Sequence, residues 1–204
     1  MSDAGQISSL GKGGQRKKGI TRQLSGGLGR LAALLILIAC WPPGVVRGQD
    51  SQAEYKFKAA YLFHFAQFVD WPAEAFPATN SPIVIAVLGQ NPISEQLQIS
   101  LRDKVIDGHP LLTRVIQSPE EARTNCHVLF INPAEKNRLS DVLNPLRGTS
   151  VLTVGDTDNF TQAGGMIRLV FIDKKLKFEI NDDAARSAGL NIRSNLRSLS
   201  IPPR

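Results

Sequence analysis

Three histidines, His64, His109 and His127, and two cysteines, Cys40 and Cys126, are the side chains of this chain best suited to hold a transition metal or to move a proton near neutral pH. Their spacing argues against both roles. Each histidine lacks an acidic, cysteine or histidine neighbour at ligand spacing, apart from the adjacent Cys126-His127. Adjacent residues on a strand point to opposite faces, so that pair makes a poor metal clamp. The arrangements that cradle a phosphate, expose a serine nucleophile or seat zinc on one helix face are missing too: no GxGxxG follows the first expected strand, and GxxxxGK[ST], GxSxG and HExxH do not occur. No catalytic residue, cofactor or metal is expected. A receiver-type phosphoacceptor would need acidic residues after the first strand and an aspartate ending a middle one. Those places hold Leu88-Gly89-Gln90 and Ile131-Asn132-Pro133.

The chemistry left is binding. Open α/β sheets place ligands beyond the carboxyl ends of their strands, and there this chain offers Gln90, Asn91, Asn132 and Asp156 as a candidate small-ligand cleft. The same residue types are ordinary turn formers, so the cleft and a plain set of loops both stand.

The elements that must position these residues follow from apolar patterning. Glu54 to Val69 is an amphipathic opening helix, with Phe57, Tyr61, Phe65 and Phe68 at helical spacing, stopped by Trp71-Pro72. That stripe is expected to be core, with a partner-binding ridge as the other reading. Ile83–Leu88, Leu111–Ile116, Cys126–Ile131 and Ser150–Val154 are four expected strands, and the first and third of them are apolar enough to be buried on both faces. Helices are expected at Ile93–Leu101 and Glu135–Leu146, with a short turn at Glu120–Arg123. Strand and helix alternating at crossover spacing predict an α/β fold: a mainly parallel sheet of about four strands flanked by helices.

The last third changes character. Met166–Ile172 and Lys175–Ile180, separated by Asp173-Lys174, predict an antiparallel hairpin pairing Ile167 with Ile180, Leu169 with Phe178 and Phe171 with Leu176. Arg168 then faces Glu179, a cross-strand pair worth about 0.2–1 kcal/mol and structural rather than catalytic. Closing helices follow: one capped by Asn181 or Asp182 and stopped by Gly189, another over about Ile192–Leu199, then an extended tail from Ile201.

The formal charge of +6 suggests a polyanion partner until it is located. Residues 1–48 hold seven of the 24 Lys and Arg and one of the 18 Asp and Glu, so the remaining 156 residues carry 17 of each. No nucleic-acid partner is expected of a neutral domain. The basic segment, the apolar run Leu31–Trp41 and the break at Pro42-Pro43-Gly44 have the order of a cleaved signal peptide, with the cut placed after Gly48. An apolar run of 11 residues is short for a bilayer, which needs about 20. A lipoprotein box ending at Cys40 is the alternative, and would anchor the chain in a membrane. Cys126, alone in the remaining domain, is expected to be buried; availability to another chain is the other reading.

One resemblance spans nearly all of residues 49–204. Lys58-Ala59-Ala60-Tyr61-Leu62 with Phe65, Phe68 and Trp71-Pro72, then Val87-Leu88-Gly89, Cys126 to Ile131, Val151 to Val154 with Asp156, and above all Gly164-Gly165-Met166-Ile167 continuing into Phe178-Glu179-Ile180-Asn181, Asp183-Ala184-Ala185 and Ala188-Gly189-Leu190, resemble the YfiR family of bacterial periplasmic proteins. The resemblance implies a non-catalytic regulator that binds the periplasmic part of a membrane-bound diguanylate cyclase and lowers cyclic di-GMP and biofilm formation. It implies a homodimer and redox control through disulfides as well, but this chain departs from the pattern: only Cys126 survives maturation, and Lys174 stands where the hairpin turn commonly has glycine. The candidate partner-binding residues are Met166, Arg168, Glu179 and Arg186, on the hairpin and the helix after it. A small-ligand receptor or an enzyme of unrecognised type using the strand-end cleft is the alternative function.

Overall fold

A computed structural model of the chain describes residues 47–203; the expected leader, its apolar run and Cys40 lie outside the described residues. Helix α1 (Arg47–Gln67) comes first and turns directly into β1 (Val69–Asp70). Its buried stripe is Ala59, Leu62, Phe65 and Ala66, not the all-aromatic one expected, and Phe57 is 59% exposed. No helix among the described residues is long and apolar enough to cross a membrane.

Strand β2 (Ile83–Leu88) is buried along its whole length, as six successive apolar side chains demand. Gly89, at φ +71°, turns the chain into α2 (Ile93–Leu101), whose Ile93, Leu97 and Leu101 are buried at a spacing of four. Each such side chain contributes about 1.5–3 kcal/mol, so packing rather than propensity holds this short helix. β3 (Val105–Ile106) and β4 (His109–Ile116) form a hairpin, and a 3-10 turn at Pro119–Arg123 with a capping box at Ser118 and Glu121 leads to β5 (Val128–Ile131).

The helix expected over Glu135–Leu146 is broken: α3 is only Leu139–Leu143, flanked by 3-10 turns at Pro133–Arg138 and Asn144–Leu146. Pro145 lacks the N–H that a continuous α ladder through this segment would require. β6 (Leu152–Gly155), β7 (Ile167–Ile172), β8 (Lys175–Ile180) and α4 (Asp182–Ser187) follow. The helix expected over Ile192–Leu199 is also shorter. Asn191–Ile192 is strand β9, paired with β1, and only Ser194–Arg197 is helical, as α5. Asp70 decides this, binding the Asn191 amide at 2.9 Å and the Arg193 guanidinium at 2.7 Å, which holds the segment extended.

The main sheet has seven strands in the order β3-β4-β2-β5-β6-β7-β8. From β4 to β7 all neighbours are parallel, while β3 and β8 close the two edges antiparallel. The count exceeds the four parallel strands expected because β7 is both a hairpin arm and the fifth parallel strand. The chain steps outward from β2 to β4 and then back past β2 to β5, so the switch point lies between β2 and β5. Helices α1 and α2 cover one face with Ile85, Val87, Phe130 and Val154; α3 and Phe160 cover the other with Leu88, Leu129 and Ile131.

The hairpin register is the one the alternation predicts, Ile167 to Ile180 through Phe171 to Leu176. Asp173 (φ +49°) and Lys174 (φ +61°) both sit in the left-handed region, as a two-residue turn matching strand twist requires. β7 meets β6 through only two residue pairs, so the rest of the hairpin overhangs the carboxyl end of the sheet. The chain end returns to β8, where the Ile201 N–H donates to the Phe178 carbonyl at 2.9 Å.

Candidate functional site

The four strand-end residues do not form one constellation. Asn91 Oδ1 accepts the Ile93 N–H at 2.9 Å and starts α2; Asn132 Oδ1 accepts the Ala134 N–H at 3.0 Å and starts the 3-10 turn after β5. Asn132 Nδ2 also donates to the Gln90 carbonyl at 3.3 Å, lacing the two loops across the switch point. These amides are engaged in shaping the loops they belong to. Asp156, after β6, turns toward α1 and pairs with Lys58, whose ammonium also meets Glu54 one helical turn earlier.

Lys58 is 5% exposed. Burial on its own would lower its pKa, but the hydrogen bonds and charges of Asp156 and Glu54 outweigh that and raise it above the ordinary lysine value. Tyr55 and Phe171 flank the ammonium with ring centroids 5.8 and 5.9 Å away. The second Asp156 oxygen and the Thr157 hydroxyl are buried without a hydrogen-bond partner. Lys58 was legible as an anomaly. It is one turn before Leu62 and two before Phe65, so it opens the buried stripe of α1 rather than its wet face.

Of the candidate partner-binding residues, Met166 and Glu179 are buried within the domain. The Met166 N–H donates to Thr153 Oγ1 at 3.1 Å. Glu179 has no exposed surface; it takes the Arg168 guanidinium at 3.0 Å and the Thr161 hydroxyl at 3.4 Å. Arg168 also donates to the Thr157 carbonyl at 3.2 Å and pairs with Asp158. A surface pair would contribute little, but this one ties the loop after β6 to the hairpin, and removing one partner would strand a buried charge. Arg186 is exposed, pairs with Asp183, and lies on a polar hollow of about 440 Å3 that also includes Asn181 and Pro203.

The glycines of Gly164-Gly165-Met166 have separate tasks. Gly164 sits at φ +101°, a conformation that side chains disfavour. Gly165 provides room. A Cβ there would stand 2.2 Å from the Phe160 ring, and one on Gly155 would stand 2.4 Å from it. Phe160 is fully buried between them, which pins the loop onto the second face of the sheet.

Cys126 and His127 are both buried. Desolvation pushes the Cys126 thiol up to about 12, and its Sγ lies 3.2 Å from the Val128 carbonyl. Desolvation lowers His127 to about 4; its Nδ1 accepts the Val84 N–H at 3.1 Å. Phe76 stacks between His127 and His109 with centroids at 4.7 and 4.3 Å, and His64 is exposed on α1. Among the described residues no group of three or more His, Cys, Asp or Glu is placed to hold a metal ion.

A family model described as YfiR/HmsC-like matches residues 55–201, nearly the whole described domain. The chain belongs to the YfiR/HmsC-like family. No curated protein matches it. The matched span of this YfiR/HmsC-like chain contains the Lys58–Asp156 contact, the Phe160 cradle and the Arg168–Glu179 pair, so the family region is the folded core and its lacing. At the family level the assignment supports a periplasmic regulator of a diguanylate cyclase.

Proposed function

We propose that residues 1–48 are removed on export and that residues 49–204 act in the periplasm as a non-catalytic regulator, binding and restraining a membrane-bound diguanylate cyclase and so lowering cyclic di-GMP and biofilm formation. The family assignment carries this reading. Its chemistry agrees: the Cys126 thiol is held near 12, the His127 imidazole near 4, and the buried charges Lys58 and Glu179 are paired with the partly buried Asp156 and Arg168. Such groups stabilise a fold and leave little with which to attack or protonate a substrate. The contact surface proposed is the overhanging hairpin together with the closing helices, where Arg186 is exposed and Arg168 is nearly covered. The cyclase's periplasmic part is the proposed partner; a homodimer is the proposed self-association.

Deleting the gene and measuring cellular cyclic di-GMP tests the reading. A rise, reversed by the full-length gene, is expected; an unchanged level together with no copurifying inner-membrane protein would remove it. N-terminal sequencing of protein released by osmotic shock tests export, with a start near Gln49 expected.

A second reading has one observation in its favour. Asp156 Oδ1 and Thr157 Oγ1 are buried without partners beside Lys58, which is what a polar ligand at the strand ends would satisfy. A melting shift across a metabolite panel, lost in Asp156→Asn, would promote a small-ligand receptor.

A further inference from the structure

Helix α1 meets the sheet through Ala59, Leu62, Phe65 and Ala66, and this leaves its aromatic flank half covered. Phe57 is 59% exposed, and Tyr61 and Phe68 are only partly buried. With Phe178 of β8 and Leu196 of α5, Tyr61, Phe65 and Phe68 line an open groove of about 430 Å3, and Leu199, 69% exposed, stands on it. None of its lining residues is acidic, while Lys177 and His64 belong to it. Among the described residues Lys177 forms no ion pair.

The geometry limits what can sit there. β8 is an edge strand, yet its outward carbonyls are taken: Leu176 by the Tyr61 hydroxyl at 3.0 Å and Phe178 by the Ile201 N–H at 2.9 Å. Adding a partner strand would need those acceptors. A second copy docked face to face would bring Lys177 of both copies to an interface with no carboxylate lining to receive them. The α1 residues that line the groove run from Tyr61 to Phe68, seven residues or about 10 Å along a helix. That length suits about two helical turns.

We infer that the groove between α1, β8 and α5 seats an acidic amphipathic helix of the partner, its apolar side chains at i, i+3, i+4 and i+7 entering beside Tyr61 and Phe68 and a carboxylate meeting Lys177. This rests on the regulatory reading, because it supplies the footprint of the restrained protein.

The test uses the full-length gene in cells. One variant carries Lys177→Glu, another Leu199→Asp; both positions are exposed, and circular dichroism of the purified proteins checks that they fold. Each is expected to reduce copurified membrane partner by roughly tenfold or more, the loss typical of a disrupted anchor or charge pair, and to raise cyclic di-GMP to the level of the deletion. Photo-crosslinking residues placed at His64 and at Leu199, both on the groove and exposed, are expected to capture a segment with acidic amphipathic helical patterning. Folded variants that restrain cyclic di-GMP as fully as the native chain would overturn the groove while leaving the regulatory reading intact. So would a crosslink to a second copy, to a basic or unpatterned segment, or to nothing at either position. If the deletion itself leaves cyclic di-GMP unchanged, it is the regulatory reading that fails, and the crosslinked segment still decides the groove.

Discussion

Phe160 occupies the space a side chain on Gly165 would need: its ring comes within 2.2 Å of where the Cβ would stand. The pair locks the loop after β6 onto the second face of the sheet, and it explains a glycine that no turn requires, since Gly165 has no positive φ.

Gly165→Ala should therefore destabilise the domain by about 1–3 kcal/mol through overpacking. Phe160→Leu shrinks the obstacle at the cost of a cavity. Chemical denaturation of both single variants and the double should show strong coupling, with the double less destabilised than the two effects added together. Additive losses would contradict the cradle.

Lys58→Met and Asp156→Asn should differ in size although they break the same contact. The first leaves the Asp156 carboxylate buried and alone, at a cost of about 3–5 kcal/mol. The second leaves Lys58 with Glu54, which is within reach one turn earlier on α1 and partly exposed, so the loss should be smaller. Urea midpoints of the two variants measure the difference.

Acid should weaken the fold through His127. Its folded pKa is lowered from 6.5 to about 4, so the unfolded chain takes the proton first. The stability it contributes is complete above pH 6.5 and is lost as pH falls toward 4. The total is about 3 kcal/mol. His127→Gln keeps an oxygen to accept the Val84 N–H but does not titrate, and should flatten the fall in urea midpoint between pH 7 and pH 4. An identical fall in both proteins would show that other groups carry it.

Cys126 should resist thiol reagents while the protein is folded. A thiol held near 12 and buried has little thiolate at pH 8 and little access. Labelling by a disulfide reagent should follow opening of the fold, speeding up in urea along the unfolding transition; immediate stoichiometric labelling without denaturant would refute the burial.

Much of this architecture was written in local pattern. Six apolar residues in a row at Ile83–Leu88 admit only a strand covered on both sides, and the two-residue period from Ile167 to Ile180 admits only one hairpin register, because a slip by one would pair apolar with charged side chains. The break in the helix expected over Glu135–Leu146 was legible too, in Pro145, but helical periodicity masked it.

What the sequence determined by itself is whatever depends on neighbours along the chain: the main strands, α2, the hairpin turn and the family. Tertiary structure alone decided which polar residues are interior. Lys58 and Asp156 are 98 residues apart, Arg168 and Glu179 are drawn under Thr161, and Asp70 reaches across 121 residues to Asn191 and holds extended the segment where the last helix was expected to begin. Burial of a charge is favourable only when a partner arrives from elsewhere in the fold, and no local pattern carries that partner's position. For the same reason the aromatic stripe of α1 could be located from its spacing, but only the packed sheet showed which half of it remains uncovered.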